Sequence, residues 1–138
     1  MSNAETTIRN RREDFARVKK SVDRFGAAHG LAAGVVADMQ VALDEILTNI
    51  VDYGYTDRGE HEIRVRLRVH ENALEATVED DGQPFNPLDK PAPDTHTPLR
   101  ERRIGGVGLH FVRNLMTDVR YDRVGDRNRL VLTRQLAA

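Results

Sequence analysis

The sequence contains no cysteine among its 138 residues. Disulfide bonds and cysteine-ligated zinc are therefore excluded. Tryptophan is also absent, and no apolar run approaches the roughly 20 residues that a membrane-spanning helix needs. The beginning of the sequence lacks the apolar stretch of a secretory signal. These absences predict a soluble, cytoplasmic protein without a membrane-bound segment.

Neither sign of charge is in excess, because the chain has 21 Lys and Arg residues and 22 Asp and Glu residues, which gives a formal net charge of −1. Such a chain presents no global field for nucleic acid, and it carries no recognition-helix motif, so direct nucleic-acid binding is not expected. The length and the hydrophobic content of 39% are typical of one soluble globular domain. We therefore predict a single domain over residues 1–138.

Proline is scarce and confined to one part of the chain. All five prolines lie within Asp81–Ile104. An irregular interval of this length in a compact domain is usually a lid, a binding loop or an insert. The interval is flanked by the residues best suited to chemistry, which favours a lid or binding loop.

Two helices are predicted before this interval. Apolar residues recur at helical spacing from Phe15 to Phe25, and Gly26–Gly30 is predicted to end that helix. A second apolar stripe runs through about Ala32–Tyr53, and Gly54 is placed as its terminator. A third helix is predicted to open at 105–108.

The remaining apolar residues alternate with polar ones, which is the pattern of half-buried strands. The predicted strands cover about 63–70, 74–78, 119–124 and 129–135. Asn72 and the Gly125-Asp126 pair are placed as turns between neighbouring strands. The fold class is therefore α+β: a two-layer sandwich in which helices cover one face of a mostly antiparallel sheet.

Glu45 and Asn49 are four residues apart on the second helix and so share a face. That face is turned away from the apolar stripe centred on Leu43, which predicts that both side chains lie outside the core. Asn is a poor residue for the middle of a helix, yet its amide oxygen is a hard ligand suited to Mg²⁺. Glu45 is then placed to accept a proton. A simply solvated helix face remains open as the alternative.

Asp80 and Gly82 follow directly on a predicted strand. A carboxylate held at a strand end can accept the exocyclic amine of adenine, and a glycine lets the backbone approach the base closely. An ordinary strand-ending turn explains the same residues equally well.

The segment Gly105-Gly106-Val107-Gly108-Leu109 has three glycines at a predicted helix start, where free N–H groups and the helix dipole favour a phosphate. No Walker-type GxxxxGK[ST] motif is present, and the dinucleotide spacing GxGxxG fails because Phe111 takes the third glycine position. A flexible hinge remains open as the alternative.

Taken in order, these segments resemble the GHKL superfamily of ATP-binding domains found in gyrase, MutL and histidine kinases. Residues 42–49 with Tyr53-Gly54-Tyr55 are similar to its N box, residues 80–86 to its first glycine box, and residues 105–109 to its second. Within the superfamily the chain resembles bacterial anti-sigma factors that are also serine kinases, of the RsbW and SpoIIAB type. The resemblance implies the Bergerat-type ATP-binding fold.

The resemblance also implies the cofactors, ATP and Mg²⁺, and the role of each matching residue. Glu45 corresponds to the general base, Asn49 to the Mg²⁺ ligand, and Asp80 with Gly82 to the adenine contacts. Residues 86–104 correspond to the ATP lid, in which Arg100, Arg102 or Arg103 is expected to steady the γ-phosphate. The other implied ATP contacts are Phe85, Arg103, Gly105, Gly106, Val107, Gly108, Leu109 and Thr133.

The implied function is a homodimeric anti-sigma factor that phosphorylates Ser or Thr on a STAS-domain anti-sigma factor antagonist, with a sigma factor as a second partner. The alternative is a kinase-inactive module that binds a regulator in response to nucleotide. A histidine-kinase catalytic half is disfavoured because barely forty residues precede Glu45. The chain departs from the best-known kinases of the group at Tyr53, where they have His, and in a first strand expected only over about Thr6–Asn10.

Overall fold

A computed structural model describes residues 3–55, 57, 59–84 and 112–136 of the chain. Two long helices and five strands make up most of these residues. The helices are α1 (Phe15–His29) and α2 (Ala33–Tyr53), and the strands are β1 (Asn3–Arg9), β2 (Glu62–His70), β3 (Ala73–Asp80), β4 (Asp118–Val124) and β5 (Arg127–Gln135). Neither helix, nor any other among these residues, is long and apolar enough to cross a bilayer.

The five strands form one sheet in the order β1-β2-β3-β5-β4, and every neighbouring pair is antiparallel. The β2–β3 turn has positive φ at both central residues, 49° at Glu71 and 60° at Asn72, which suits the right-handed twist of a two-residue hairpin. The predicted α+β sandwich with an antiparallel sheet is confirmed.

The first strand is longer than expected, because β1 covers Asn3–Arg9 rather than Thr6–Asn10 and pairs with β2 along its full length. Only Ile8 on this strand is a large side chain buried in the core, so the alternating pattern is weak. The rest of β1 is held on β2 by backbone pairing and by an ion pair across the strands. In this pair the Glu5 carboxylate lies 3.3 Å from Arg66 Nε.

The helix α1 ends at Gly30, whose φ of 64° is the left-handed conformation of a C-terminal cap. The Leu31 N–H closes the turn by donating to the Gly26 carbonyl at 2.9 Å. Gly26 does not end the helix. A Cβ there would lie 2.5 Å from Val36 Cγ2, so this glycine allows α1 and α2 to approach each other closely.

The core lies between the helices and the inner face of the sheet. Apolar side chains from both layers are buried there, and the largest fully buried ones are Ile8, Met39, Leu43, Ile46, Leu47, Ile63, Leu67, Leu74 and Leu132. The alternating arginines of β2 lie on the opposite, open face, where Arg68 Nε is 2.8 Å from Glu75 Oε1. The predicted solvent-facing side of the sheet is confirmed.

Candidate functional site

Asn49 lies in the last half of α2 and is buried, with only 1% of its surface exposed. The expectation that it lies outside the core was wrong. The buried arc of α2 is wider than the Leu43 stripe, because it includes Val35 and Ala42 and extends to Asn49 at its margin. A polar side chain is therefore held inside the cleft between α2 and the sheet.

The two ends of the Asn49 amide have different surroundings. Its Nδ2 donates to the Glu45 carbonyl and to Glu45 Oε2, each at 2.8 Å. Because both neighbours are acceptors, the NH₂ group must face them. Its Oδ1 is buried and has no hydrogen-bond partner among the residues that the structure describes. An unpaired buried acceptor is unfavourable by roughly 1–3 kcal/mol, which makes it a candidate for ligand contact.

Glu45 lies one turn before Asn49 and is half-buried, and its carboxylate contacts the Asn49 amide. The hydrogen bond from Asn49 Nδ2 to Oε2 fixes the orientation of this carboxylate. A carboxylate with a fixed orientation beside a cleft is suited to accept a proton from a bound hydroxyl group.

Asp80 is the last residue of β3, and 3% of its surface is exposed. Its Oδ1 accepts hydrogen bonds from the Gly82 N–H at 2.8 Å and from Asn128 Nδ2 at 3.1 Å. No described residue donates to Oδ2. Burial raises the pKa of Asp80 above its ordinary value, and the hydrogen bonds from Asn128 and Gly82 oppose the rise. The second oxygen thus remains for a ligand.

Gly82 is placed against the end of α2. A Cβ at this position would lie 2.3 Å from the Gly54 carbonyl oxygen, so no larger residue fits without movement. The Gln83 N–H donates to the same carbonyl at 2.9 Å, and Gln83 Nε2 donates to the Tyr53 carbonyl at 3.0 Å. These contacts join the turn after β3 to the segment after α2.

Asn128, on β5, completes the Asp80 side and was missed in the sequence analysis. Its Nδ2 also donates to the Gln83 carbonyl at 2.8 Å, while its Oδ1 accepts from the Tyr121 hydroxyl and from Arg123 Nη1. The sequence did contain an indication of its position: Asn128, Leu130 and Leu132 are spaced by two residues and therefore lie on the same, inner face of the sheet.

Asn49, Asp80 and Asn128 line one small cavity between α2 and the sheet. Its volume of about 20 Å³ has room for about one water molecule, so a base entering it must displace lining side chains. The other residues lining it are Ile46, Ile50, Val78, Tyr121 and Leu130. The structure therefore brings together the predicted residues of the N box and of the first glycine box.

Thr133 does not belong to this group, and its expected adenine-side contact needs correction. It pairs with Glu75 across the sheet, and its side chain alternates to the open face on which Glu75 meets Arg68. The register pairs Asp80 with Asn128, so Thr133 is five residues further along β5, roughly 17 Å away. Strand parity is the physical reason: every second residue of β5 faces the helices.

Several predicted site residues lie outside the described part of the chain. They are Phe85, Arg103, Gly105, Gly106, Val107, Gly108 and Leu109, together with the lid expected at about 86–104. Their roles remain predictions.

The described residues fit a metal ion that is coordinated mainly by phosphate oxygens and water rather than by the protein. They contain no group of three or more His, Asp or Glu side chains arranged to hold a metal ion. Mg²⁺ commonly takes one or two protein oxygens and completes its octahedron with phosphate oxygens and water. The unpaired Oδ1 of Asn49 is an oxygen of this kind.

Comparison with known proteins gives the family. The sequence model of the histidine kinase-like ATPase domain matches residues 8–134. The serine-protein kinase RsbW of Bacillus subtilis is 32% identical over 108 residues, which cover 75% of this chain and 67% of that protein. The RsbW of Oceanobacillus iheyensis is 31% identical over 96 residues, which cover 66% of this chain and 60% of that protein. The chain thus spans about three fifths to two thirds of these relatives.

Solved structures agree on the fold. The RsbU and RsbW domains of a Mycobacterium tuberculosis protein superpose with a TM-score of 0.67 at 18% identity, covering 99% of this chain and 32% of that one. A histidine kinase domain from Erythrobacter litoralis superposes with a TM-score of 0.56 at 18% identity, covering 88% of this chain and 59% of that one. The chain therefore belongs to the histidine kinase-like ATPase domain family, and the curated proteins to which it is similar are RsbW serine-protein kinases.

Proposed function

We propose that this chain binds Mg²⁺-ATP in the cleft between α2 and the sheet and transfers the γ-phosphoryl group to a Ser or Thr of a partner protein. The observation that carries the proposal is the buried Asn49, whose oxygen is unpaired within the described residues and whose NH₂ orients Glu45. Asp80 lies on the same cavity. Base, metal and proton-accepting functions are thus assigned to one cleft.

On the base side, Asp80 Oδ2 accepts the exocyclic amine of adenine while Oδ1 stays bonded to Gly82 and Asn128. Gly82 lets the backbone approach the ring without a side chain between them. Because Gly82 and Asn128 already hold the Asp80 carboxylate, this group needs little further ordering on binding, whereas other side chains lining the cavity must move to admit the base.

On the phosphate side, Asn49 Oδ1 binds the metal, which supplies charge neutralisation at the phosphate oxygens. Glu45 accepts the proton of the attacking hydroxyl, and the Asn49 hydrogen bond keeps the carboxylate in one orientation. The predicted phosphate contacts at 105–109 and the lid arginine Arg103 complete this side of the proposal.

The partner belongs to the proposal as well. We propose a cytoplasmic homodimer that acts on a STAS-domain anti-sigma factor antagonist and holds a sigma factor, as the similarity to RsbW serine-protein kinases supports. Phosphorylation of the antagonist then determines which of the two partners is held.

The test is transfer of label from γ-labelled ATP to a purified STAS-domain anti-sigma factor antagonist. We expect phosphorylation by the unaltered protein and a rate at least about 100-fold lower for Glu45→Gln, because the neutral amide cannot accept the proton. Nucleotide affinity of Glu45→Gln should stay within about twofold, because the variant retains a hydrogen-bond acceptor for Asn49.

Binding of ATP without label transfer by the unaltered protein would contradict the kinase function. It would leave the alternative, a module whose protein binding depends on nucleotide. Equal loss of transfer and nucleotide affinity in Glu45→Gln would contradict the role assigned to Glu45.

A further inference from the structure

His61 precedes β2 and contacts carboxylates from two separate segments. Its Nε2 lies 2.8 Å from Asp57 Oδ1, in the segment after α2. Its Nδ1 lies 3.2 Å from Asp81 Oδ1, at the end of β3. One imidazole ring therefore links the segment after α2 to the residue between Asp80 and Gly82.

The charge state of the ring decides whether both contacts can be hydrogen bonds. A neutral imidazole has one N–H and one acceptor nitrogen, whereas an imidazolium donates from both nitrogens. Since both neighbours are carboxylates, only the imidazolium satisfies both. The hydrogen bond to Asp57 is the main reason that the pKa of His61 is raised above its ordinary value, with Asp81 adding to the effect.

The ring is held in this position from other sides. The phenol ring of Tyr55 stacks on it, with ring centroids 4.2 Å apart and an interplanar angle of 16°. On the β1 side the neighbour of His61 is the uncharged Asn10, whose side-chain Oδ1 accepts a hydrogen bond from the His61 backbone N–H at 2.9 Å. The titratable groups facing His61 are thus Asp57 and Tyr55 from the segment after α2 and Asp81 from the end of β3.

The His61 contacts run beside the backbone contacts of the base site. Gln83 N–H already donates to the Gly54 carbonyl, and Gly82 packs against the same oxygen. The Asp81 contact adds a side-chain link between the same two segments. The position of the turn that carries Gly82 therefore depends on both links.

We propose that His61 is a positioning residue for the nucleotide base: by bridging Asp57 and Asp81, its imidazolium holds the segment after α2 against the Asp80–Gln83 turn. The proposal rests on the proposed binding of adenine at Asp80 and Gly82. His61 itself does not touch the nucleotide.

The direction of the pH effect follows from the raised pKa. The imidazolium link is complete below about pH 6.5, the ordinary value of histidine, and is lost as the pH rises through the higher folded value. The neutral ring keeps the shorter contact to Asp57 and gives up the longer one to Asp81. Affinity for nucleotide therefore falls as pH rises.

The experiment is calorimetric titration of Mg²⁺-ADP into the full chain between about pH 6 and pH 9. The quantity compared is the ratio of the ADP affinity of the unaltered protein to that of His61→Gln at each pH. We expect this ratio to fall about threefold from about pH 6 to pH 9. The factor is small because Asp57 and Asp81 are partly exposed. Using the ratio removes the protonation of ADP itself. Asp81→Asn should show the same loss of pH dependence, which covers the case in which His61→Gln fails to fold.

The matched control is His70→Gln, at the other end of β2, where the ring is half exposed and Nε2 is 3.7 Å from Glu71. It should follow the pH profile of the unaltered protein. A constant ratio of the unaltered protein to His61→Gln would overturn the inference while leaving nucleotide binding intact. Failure to bind ADP at any pH would instead overturn the proposed function, and the positioning role with it.

Discussion

The two ends of the cleft between α2 and the sheet differ in how their polar atoms are paired. At the Asp80 end, Oδ1 already accepts hydrogen bonds from Gly82 and Asn128. At the Asn49 end, the buried Oδ1 has no partner within the described residues. The first end is organised by the protein alone, and the second offers an acceptor that a ligand can pair.

This difference matches the two kinds of ligand surface that the proposal requires. A planar base is recognised by groups fixed in advance, which reduces the entropy lost on binding. A metal with its phosphates brings its own charge and geometry, so the protein needs to supply only one or two oxygens. The unpaired Asn49 oxygen is unfavourable in the unliganded fold by roughly 1–3 kcal/mol, and a ligand that pairs it would regain this free energy on binding.

Among the variants that change the neighbours of Asp80, Gly82→Ala is expected to have the largest effect. The added Cβ would meet the Gly54 carbonyl oxygen at 2.3 Å, so the turn must move away from the end of α2. We expect a loss of about 1–3 kcal/mol in the free energy of unfolding, measured by urea denaturation, and a roughly tenfold loss of ADP affinity.

The matched control is Gly34→Ala on α2, where a Cβ would meet nothing within 4 Å. This variant should keep ADP affinity and be as stable as the unaltered protein or slightly more so, because alanine favours the helix. If both alanine variants bind ADP equally well, the close approach at Gly82 has no role in recognition.

A smaller effect is expected from removing Asn128, which donates to Asp80 and to the Gln83 carbonyl. Asn128→Ala should lower ADP affinity about fivefold, since Asp80 loses one of its two bound donors. Thr133→Val, on the open face of the same strand, should change it less than about twofold. Fluorescence competition with a labelled ADP measures both. A larger loss for Thr133→Val would restore the original assignment and contradict the correction.

Sequence reasoning located most of this architecture because periodicity reports which face is buried. The helix stripe around Leu43 and the alternation of β2 needed no tertiary information. Asn49 was expected outside the core and is buried, because the width of the buried arc depends on how closely α2 packs on the sheet. That distance is set by long-range contacts.

The assignment of Thr133 instead of Asn128 to the base site has a different physical origin. The resemblance suggested a polar residue on the last strand, and the parity of β5 decides which one faces the helices. Leu130 and Leu132 are buried, so Asn128 shares their face and Thr133 does not. The contact of Gly82 with the Gly54 carbonyl was not visible from local sequence, because it joins segments that are distant along the chain.

The account assigns the metal to the Asn49 end of the cleft and the base to the Asp80 end. The most direct test is the ADP affinity of Asn49→Ala and Asp80→Asn, each measured with and without Mg²⁺. Asn49→Ala should abolish the gain from Mg²⁺ while leaving Mg²⁺-free affinity within about twofold. Asp80→Asn turns the free oxygen into a donor facing the adenine amine, so affinity should fall about tenfold in both conditions with the Mg²⁺ gain unchanged. If both variants reduce affinity alike, or if Asn49→Ala keeps the full Mg²⁺ gain, the assignment of metal to Asn49 and base to Asp80 is contradicted.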